Sequence, residues 1–292
     1  MDFRERYLSF MKSRIGDLSG LDFAVDCSCG MASLLVEDLF PGAATINCGL
    51  DGSFPAHSPN PLAAEAREQI SRLVRERGLD CGVIFDGDAD RCMFVDERGG
   101  FVQPDFLIPF VVPLGGNKVI HDVRTSRGTI DFIRAHGGEP LMVPVGHVFA
   151  KKVLRESGAI GGGELAGHYY FRDFHCCDSG ILAAIRILGK IAASKRNGAS
   201  FSQMVAPVKG RWANSGERNY RCENKDAAME RVKSAFSGEV NNLDGYRIEM
   251  PEGWISVRKS NTEPYLRLIV EAESDALMRS WIEKAERAVN EG

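Results

Sequence analysis

The feature that most limits what this chain can become is the alternation, through residue 207, of short β-rich apolar runs with amphipathic helical segments. A helical segment between two strand-like runs returns the chain to the same edge of a sheet, so the pattern selects stacked α/β layers with a largely parallel sheet. Residues 2–15 read as a helix, 23–27 as a strand, 31–40 as a helix stopped by Pro41, and 45–48 as a second strand. Pro61, at a first-turn position where a missing N–H costs nothing, opens a helix to about Arg77. The run 80–85 is a buried strand, and 92–96 turns at Arg98-Gly99-Gly100 to return as a hairpin. A second unit follows, with strands at 118–121 and 140–143 about a helix over 129–136. A helix over 147–157, a Gly-rich strand at 160–164 and a long apolar helix capped by Asp178 complete it. Beyond Ala206-Pro207 the pattern changes to strands near 211–222, 247–249, 254–258 and 266–272 with helices near 225–236 and 274–290. The expected fold class is α/β: two tandem three-layer α/β/α domains, 1–103 and 104–207, followed by a small α+β domain, 208–292. No repeat or low-complexity tract is visible in the sequence.

The run 80–85 leads directly into Asp86-Gly87-Asp88-Ala89-Asp90-Arg91. Three carboxylates at alternate positions past the C-terminal end of a strand can converge on one hard cation, and open α/β sheets place ligands at that end. Held this close without a cation, they repel one another. Two rival readings of the loop are weaker. An EF-hand needs Gly at its sixth position, where Arg91 stands, and helices rather than strands on its flanks. A haloacid-dehalogenase-type phosphotransferase carries Asp-x-Asp on the first strand of its fold, whereas here a strand–helix–strand–helix unit comes first.

Two further loops are rich in groups that bind sugars and phosphates. Gly162-Gly163-Glu164-Leu165-Ala166-Gly167-His168 fixes a carboxylate and an imidazole; a Glu can accept hydrogen bonds from two neighbouring sugar hydroxyls. The segment 258–267 offers Arg258, Ser260, Asn261, Thr262 and Arg267, the guanidinium, hydroxyl and amide donors that a phosphate dianion requires. The formal charge of −4 and pI near 5.9 argue against a nucleic-acid or membrane-surface partner, but not against a single bound phosphate. No apolar run approaches the roughly 20 residues of a membrane span. The first residues, Met1 to Arg6, lack the apolar stretch of a signal peptide. The eight cysteines are scattered, as in a reducing compartment, so a cytoplasmic location is expected.

Taken together, the three loops resemble those of the α-D-phosphohexomutase superfamily, the phosphomannomutases and phosphoglucomutases. The counterparts of that family's metal, sugar and phosphate loops are Asp86–Arg91, Gly163–His168 and Arg258–Pro264. Asp51-Gly52-Ser53-Phe54-Pro55-Ala56-His57, Pro59-Asn60-Pro61, Val145-Gly146-His147 with Lys151-Lys152, and Asp178-Ser179-Gly180 extend the likeness over the whole chain. The resemblance implies a Mg²⁺-dependent isomerase that moves a phosphoryl group between the 1- and 6-positions of a hexose through a bisphosphate intermediate, using a phosphoserine. It implies Asp86, Asp88 and Asp90 as Mg²⁺ ligands, with Arg91 and His168 catalytic. Gly146, His147 and Glu164 would hold the sugar, and Arg258, Ser260, Asn261, Thr262 and Arg267 the non-reacting phosphate. Glucose or mannose phosphates are the expected ligands, without nucleic acid or membrane.

The departures matter as much. The family's Thr-Ala-Ser-His-Asn-Pro nucleophile loop does not occur in these 292 residues. The likeness is to the second, third and fourth domains, so a separate phosphoserine-bearing domain is an expected partner. His57-Ser58-Pro59-Asn60-Pro61 has the wrong residue order for that loop. Ala166 stands where the family has a sugar-loop Ser, and Met142-Val143-Pro144 offers no cation ahead of Gly146-His147. A sugar-phosphate-binding protein without catalysis is the alternative these departures leave open.

Overall fold

The buried run at 80–85 becomes the middle strand of the first of three sheets in this computed structural model, which describes residues 2–260 and 264–290. That sheet contains β1 (Phe23–Asp26), β2 (Ala44–Ile46), β3 (Cys81–Phe85), β4 (Cys92–Asp96) and β5 (Phe101–Val102) in the order β2-β1-β3-β4-β5. The second contains β6 (Lys118–Asp122), β7 (Glu139–Val143), β8 (Gly161–Gly163), β9 (Tyr169–Phe171) and β10 (Cys177–Asp178) in the order β10-β9-β8-β6-β7. Read from the other edge, the two orders are the same, so the first two units are structural copies that their sequences do not betray. In each, the first three strands are parallel and the last two antiparallel. The sheets are thus more mixed than the sequence pattern suggests. The reason lies in the connections, because a tight loop after the third strand can only bring the chain back antiparallel. In the first sheet that loop is Asp86–Arg91, and in the second it is Glu164–His168.

The two copies share one core. The helix Gly180–Arg196 is apolar nearly all round, with Ile181, Leu182, Ile185, Ile187, Leu188 and Ile191 all buried, as expected of a helix covered on every side. It joins a continuous hydrophobic cluster running from Leu8 to Val208. Each such side chain contributes about 1.5–3 kcal/mol by leaving water, which fixes the two copies relative to one another.

The third sheet is antiparallel along its main path: β11 (Ala213–Asn214), β16 (Tyr265–Ala272), β15 (Gly253–Lys259), β14 (Tyr246–Met250) and β13 (Glu239–Asn241), with β12 (Arg218–Arg221) also on β16. Helices Lys225–Ala235 and Asp275–Asn290 cover it and enclose a separate core. Its attachment to the second unit combines a small apolar cluster, Leu165 with Trp254 and Ile269, with polar contacts. Arg127 donates to Gly253 O at 2.9 Å and Pro251 O at 3.0 Å and pairs with Glu249. Arg247, stacked on Trp254, donates back to the carbonyls of Val123 and Thr125 at 2.7 and 2.9 Å.

Several boundaries differ from the sequence reading, each for a local reason. The segment 31–40 is a 3₁₀ turn, Met31–Leu34, then a short helix, Val36–Leu39. Pro61 does not open a helix, because the Arg67 guanidinium takes the carbonyls of Pro61 and Leu62 at 2.8 and 2.7 Å; the helix proper is Glu68–Arg77. Ala206-Pro207 marks where the sequence pattern changes. It lies inside the helix Phe201–Lys209, which the burial of Val205 and Val208 holds in place despite the proline. The cap of the long helix is Ser179, whose hydroxyl accepts from Leu182 N at 3.1 Å, not Asp178.

Candidate active site

Because the first two units are copies packed through a common helix, their equivalent loops meet. Arg91 and His168 form an antiparallel bridge, and Cys92 N donates to Gly167 O at 3.2 Å. The carboxylate oxygens of Asp86, Asp88 and Asp90 lie within 4.8 Å of one another, the spacing a single cation can span. Backbone packing shapes this loop from below. Met31 N donates to Gly87 O at 2.9 Å, and a side chain on Gly30 would strike that same carbonyl at 2.4 Å. Ala89 adopts φ +61°, a left-handed conformation that a side chain makes costly.

The charges are unequal. Asp86 is buried, and burial pushes its carboxyl up to about 6 even though Arg91 pulls the other way. Arg91 donates through Nε at 2.7 Å and through its backbone N at 3.1 Å. Asp88 is exposed and Asp90 partly so. A buried carboxylate this reluctant to ionise, with two more beside it, fits a divalent cation better than it fits water.

From the second unit comes His168, with Nδ1 3.0 Å from Asp178 and 3.7 Å from Asp90. The 3.0 Å contact is an ion pair rather than an aligned hydrogen bond. Burial lowers the His168 pKa, but Asp178 and then Asp90 and Glu164 outweigh it, so the imidazole is held protonated more firmly than usual. Burial raises Asp178, yet His168 and Lys151 (Nζ at 2.7 Å) hold it down to about 2. His147, at the start of the helix His147–Ser157, stands with its ring centroid 6.2 Å from that of His168, and Gly146 turns the chain there with φ +127°.

Glu164 is buried, its Oε1 accepting from Tyr170 OH at 2.5 Å and its Oε2 3.7 Å from Arg124. Burial and the nearby Asp122 raise its pKa. The glycines before it belong to the strand itself. A side chain on Gly162 would meet Ile120 O at 1.9 Å, so that run exists to let β8 lie against β6.

Arg258 and Arg267 face each other across β15 and β16. Like charges opposed on adjacent strands repel unless an anion lies between them. That anion is Glu217, which accepts from both guanidinium groups at 3.0 Å. Arg124 adds a third guanidinium 3.7 Å from Glu217, itself clamped by Asp122 at 2.6 Å. Ser260 is buried, 3.4 Å from Arg267 Nη2. Asn261 and Thr262 lie outside the described residues. A cavity of about 1340 Å³ opens among the three units beside these groups, touching Asn60, Arg124, Leu165, Glu217 and Arg267 but none of the three aspartates.

The structure thus gathers Asp86, Asp88, Asp90, Arg91, His147 and His168 in one cluster. Arg258, Ser260 and Arg267 gather around Glu217, with Arg124 and Glu164 between the two sets. Sequence reasoning missed Arg124 and Glu217; it counted Lys151 and Asp178 in the likeness without giving either a role at the site, beyond reading Asp178 as a helix cap. Only Arg124 carried a usable signal, a lone cation at the C-terminal end of a parallel strand. No metal or ligand cluster other than Asp86–Asp88–Asp90 and Asp90–His168–Asp178 is found among the described residues. Among the same residues no helix is long and apolar enough to cross a membrane.

Residues 5–100, 112–209 and 217–288 match, in turn, the alpha/beta/alpha domain II, the alpha/beta/alpha domain III and the C-terminal domain of phosphoglucomutase/phosphomannomutase. A phosphomannomutase of Escherichia coli is 37% identical over 243 residues, 80% of this chain and 53% of its own length. One from Methanocaldococcus jannaschii is 32% identical over 98% of this chain and 65% of its own. A crystal structure of a phosphoglucomutase/phosphomannomutase family protein from Burkholderia thailandensis superposes with a TM-score of 0.87 at 28% identity, over 99% of this chain and 64% of that one. The chain spans about half the length of the curated relatives that it matches first.

Proposed function

The chain belongs to the phosphoglucomutase/phosphomannomutase family, and from this premise we propose that it supplies the metal, sugar and phosphate sites of a Mg²⁺-dependent phosphohexomutase. The phosphoserine in this reading comes from a domain outside these 292 residues. The observation that carries the reading is the meeting of the two equivalent loops, with Asp90 3.7 Å from His168.

Asp86, Asp88 and Asp90 would hold Mg²⁺, which supplies charge compensation for the transferring phosphoryl group. Arg91 keeps Asp86 oriented and offers its remaining donors to that group. His168, held as an imidazolium by Asp178, stands beside the transferring phosphoryl group as a cation and hydrogen-bond donor that offsets its charge. Gly146, His147 and Glu164 orient the sugar, Glu164 using the oxygen that Tyr170 does not occupy. Arg258, Ser260, Asn261, Thr262 and Arg267 clamp the non-reacting phosphate once it displaces Glu217. Arg124 brings the cation that Met142-Val143-Pro144 lacks.

Glucose and mannose 1- or 6-phosphates are the proposed substrates, with a hexose bisphosphate as intermediate. The second reading is a sugar-phosphate-binding protein without catalysis. Ala166 in place of the sugar-loop Ser and the uncharged Met142-Val143-Pro144 favour it. A coupled mutase assay with glucose 1-phosphate and a bisphosphate activator, on this chain alone and mixed with a phosphoserine-domain polypeptide, separates the two. Turnover on mixing supports the mutase; hexose phosphate binding with no turnover in either arm supports the binding protein.

A further inference from the structure

The loop 51–61 lies over the metal loop and is pinned at one buried point. His57 has only 3% of its side chain exposed and Asp26, at the end of β1, has none. The two ring nitrogens of His57 face different oxygens: Nε2 is 3.1 Å from Asp26 Oδ2 and Nδ1 is 2.8 Å from Ser58 O. A carbonyl can only accept. Asp26 otherwise meets donors alone, namely Ser28 N at 2.8 Å and Asn47 Nδ2 at 3.1 Å. Both ring nitrogens must therefore carry protons, which makes the ring an imidazolium paired with a buried carboxylate. The charged groups facing it are Asp26 and, farther off, Glu65 from the turn that follows.

What this pin holds bears on the metal loop. Phe54, in a strained left-handed conformation (φ +50°), and Pro59 pack on Gly87, so that a side chain there would lie 3.1 Å from the Phe54 ring. Asn60 offers its side-chain oxygen to Arg91 Nη1 at 3.4 Å. A second tether, Gln69 Nε2 to Ala56 O at 3.0 Å, sits beside the first.

We propose that His57, as an imidazolium locked onto Asp26, is a positioning residue that presses the 51–61 loop onto Gly87 and Arg91 and so sets the geometry of the three metal-binding carboxylates. A neutral ring keeps one N–H for two acceptors, so either Asp26 Oδ2 or Ser58 O then faces a ring lone pair instead of a donor, and that loosens the loop. The Mg²⁺ part of this inference rests on the function proposed above; the clasp itself does not.

The test has two independent readouts. Nitrogen-detected NMR of the histidine rings of the whole chain should show His57 with both nitrogens protonated at pH 7, and losing that signature only well above the ordinary histidine range. A neutral, singly protonated His57 ring at pH 7 overturns the proposal whether or not the chain binds metal. Second, Mg²⁺ titration calorimetry on wild type and His57→Gln, from pH 6 to 9, reads the coupling. In wild type the affinity should fall at the alkaline end as the ring deprotonates. In the variant it should be about tenfold weaker throughout and lack that alkaline fall. Equal affinities and equal profiles, with the Arg91 side-chain NMR signals unmoved, would overturn the positioning role. If neither protein binds Mg²⁺, the Arg91 signals decide it alone.

Discussion

Replacing Asp86 with Asn should make the metal-free protein more stable while removing its response to Mg²⁺. The magnitude follows from its environment. Its carboxyl titrates at about 6 in the fold against 3.8 unfolded, net of the attraction to Arg91. The folded state therefore holds this proton more tightly than the unfolded one. Below the unfolded value both states are protonated and nothing is lost. As pH rises between the two values the unfolded chain releases its proton first, and stability falls. Above the folded value the full penalty applies, about two pH units at ~1.4 kcal/mol each, or roughly 3 kcal/mol. Asn cannot ionise, yet its oxygen can still accept from Arg91. In a cooperative unit of 150–250 residues that gain corresponds to a melting point higher by roughly 6–12 °C at pH 7, shrinking to about a third of that near pH 4.5. Wild type, by contrast, gains roughly 2.7 kcal/mol when Mg²⁺ reaches a hundred times its Kd. Thermal unfolding followed by circular dichroism, at both pH values and with and without MgCl₂, reads all of this. A variant that melts below wild type without metal, or that Mg²⁺ stabilises equally, would refute the reasoning.

Other substitutions probe the remaining contacts. Asp122→Ala strips the buried Arg124 of its two-point partner and should cost about 3–5 kcal/mol, measured by urea unfolding. Ala89→Gly relieves the left-handed backbone at φ +61° and should add about 1 kcal/mol in the same assay. Glu217→Gln removes the carboxylate that competes for Arg258 and Arg267, so inorganic phosphate should bind roughly tenfold tighter by calorimetry, as one charge-assisted contact is worth. Asp178→Asn takes away the group that holds His168 protonated, so the His168 titration followed by NMR should move to lower pH, with Lys151 left unpaired.

What could be read from the sequence was whatever lies in consecutive residues. Asp86–Arg91 follows a strand whose burial is evident from its composition, and the loops at 163–168 and 258–267 are equally local. Groups that converge only through folding stayed hidden. Glu217 sits in a plain polar turn and acquires meaning only because β15 and β16 set Arg258 opposite Arg267. Asp178 and Ser179 could each cap the same helix, and only the structure shows that Ser179 does so, leaving Asp178 to Lys151 and His168. The duplication of the first two units was equally silent. Strand order is preserved by packing requirements that many sequences satisfy, whereas the shared helix Gly180–Arg196 and the meeting of Arg91 with His168 follow directly from it.

The most direct test of the account is a single transfer of label. A phosphoserine-domain polypeptide carrying ³²P on its serine is mixed with this chain, Mg²⁺ and glucose or mannose 6-phosphate, and the sugar fraction is counted. Label should appear in hexose 1,6-bisphosphate only when the chain and Mg²⁺ are both present, and Asp88→Asn should abolish the transfer. Label remaining on the serine in the complete mixture, or leaving it equally well without this chain, would contradict the account.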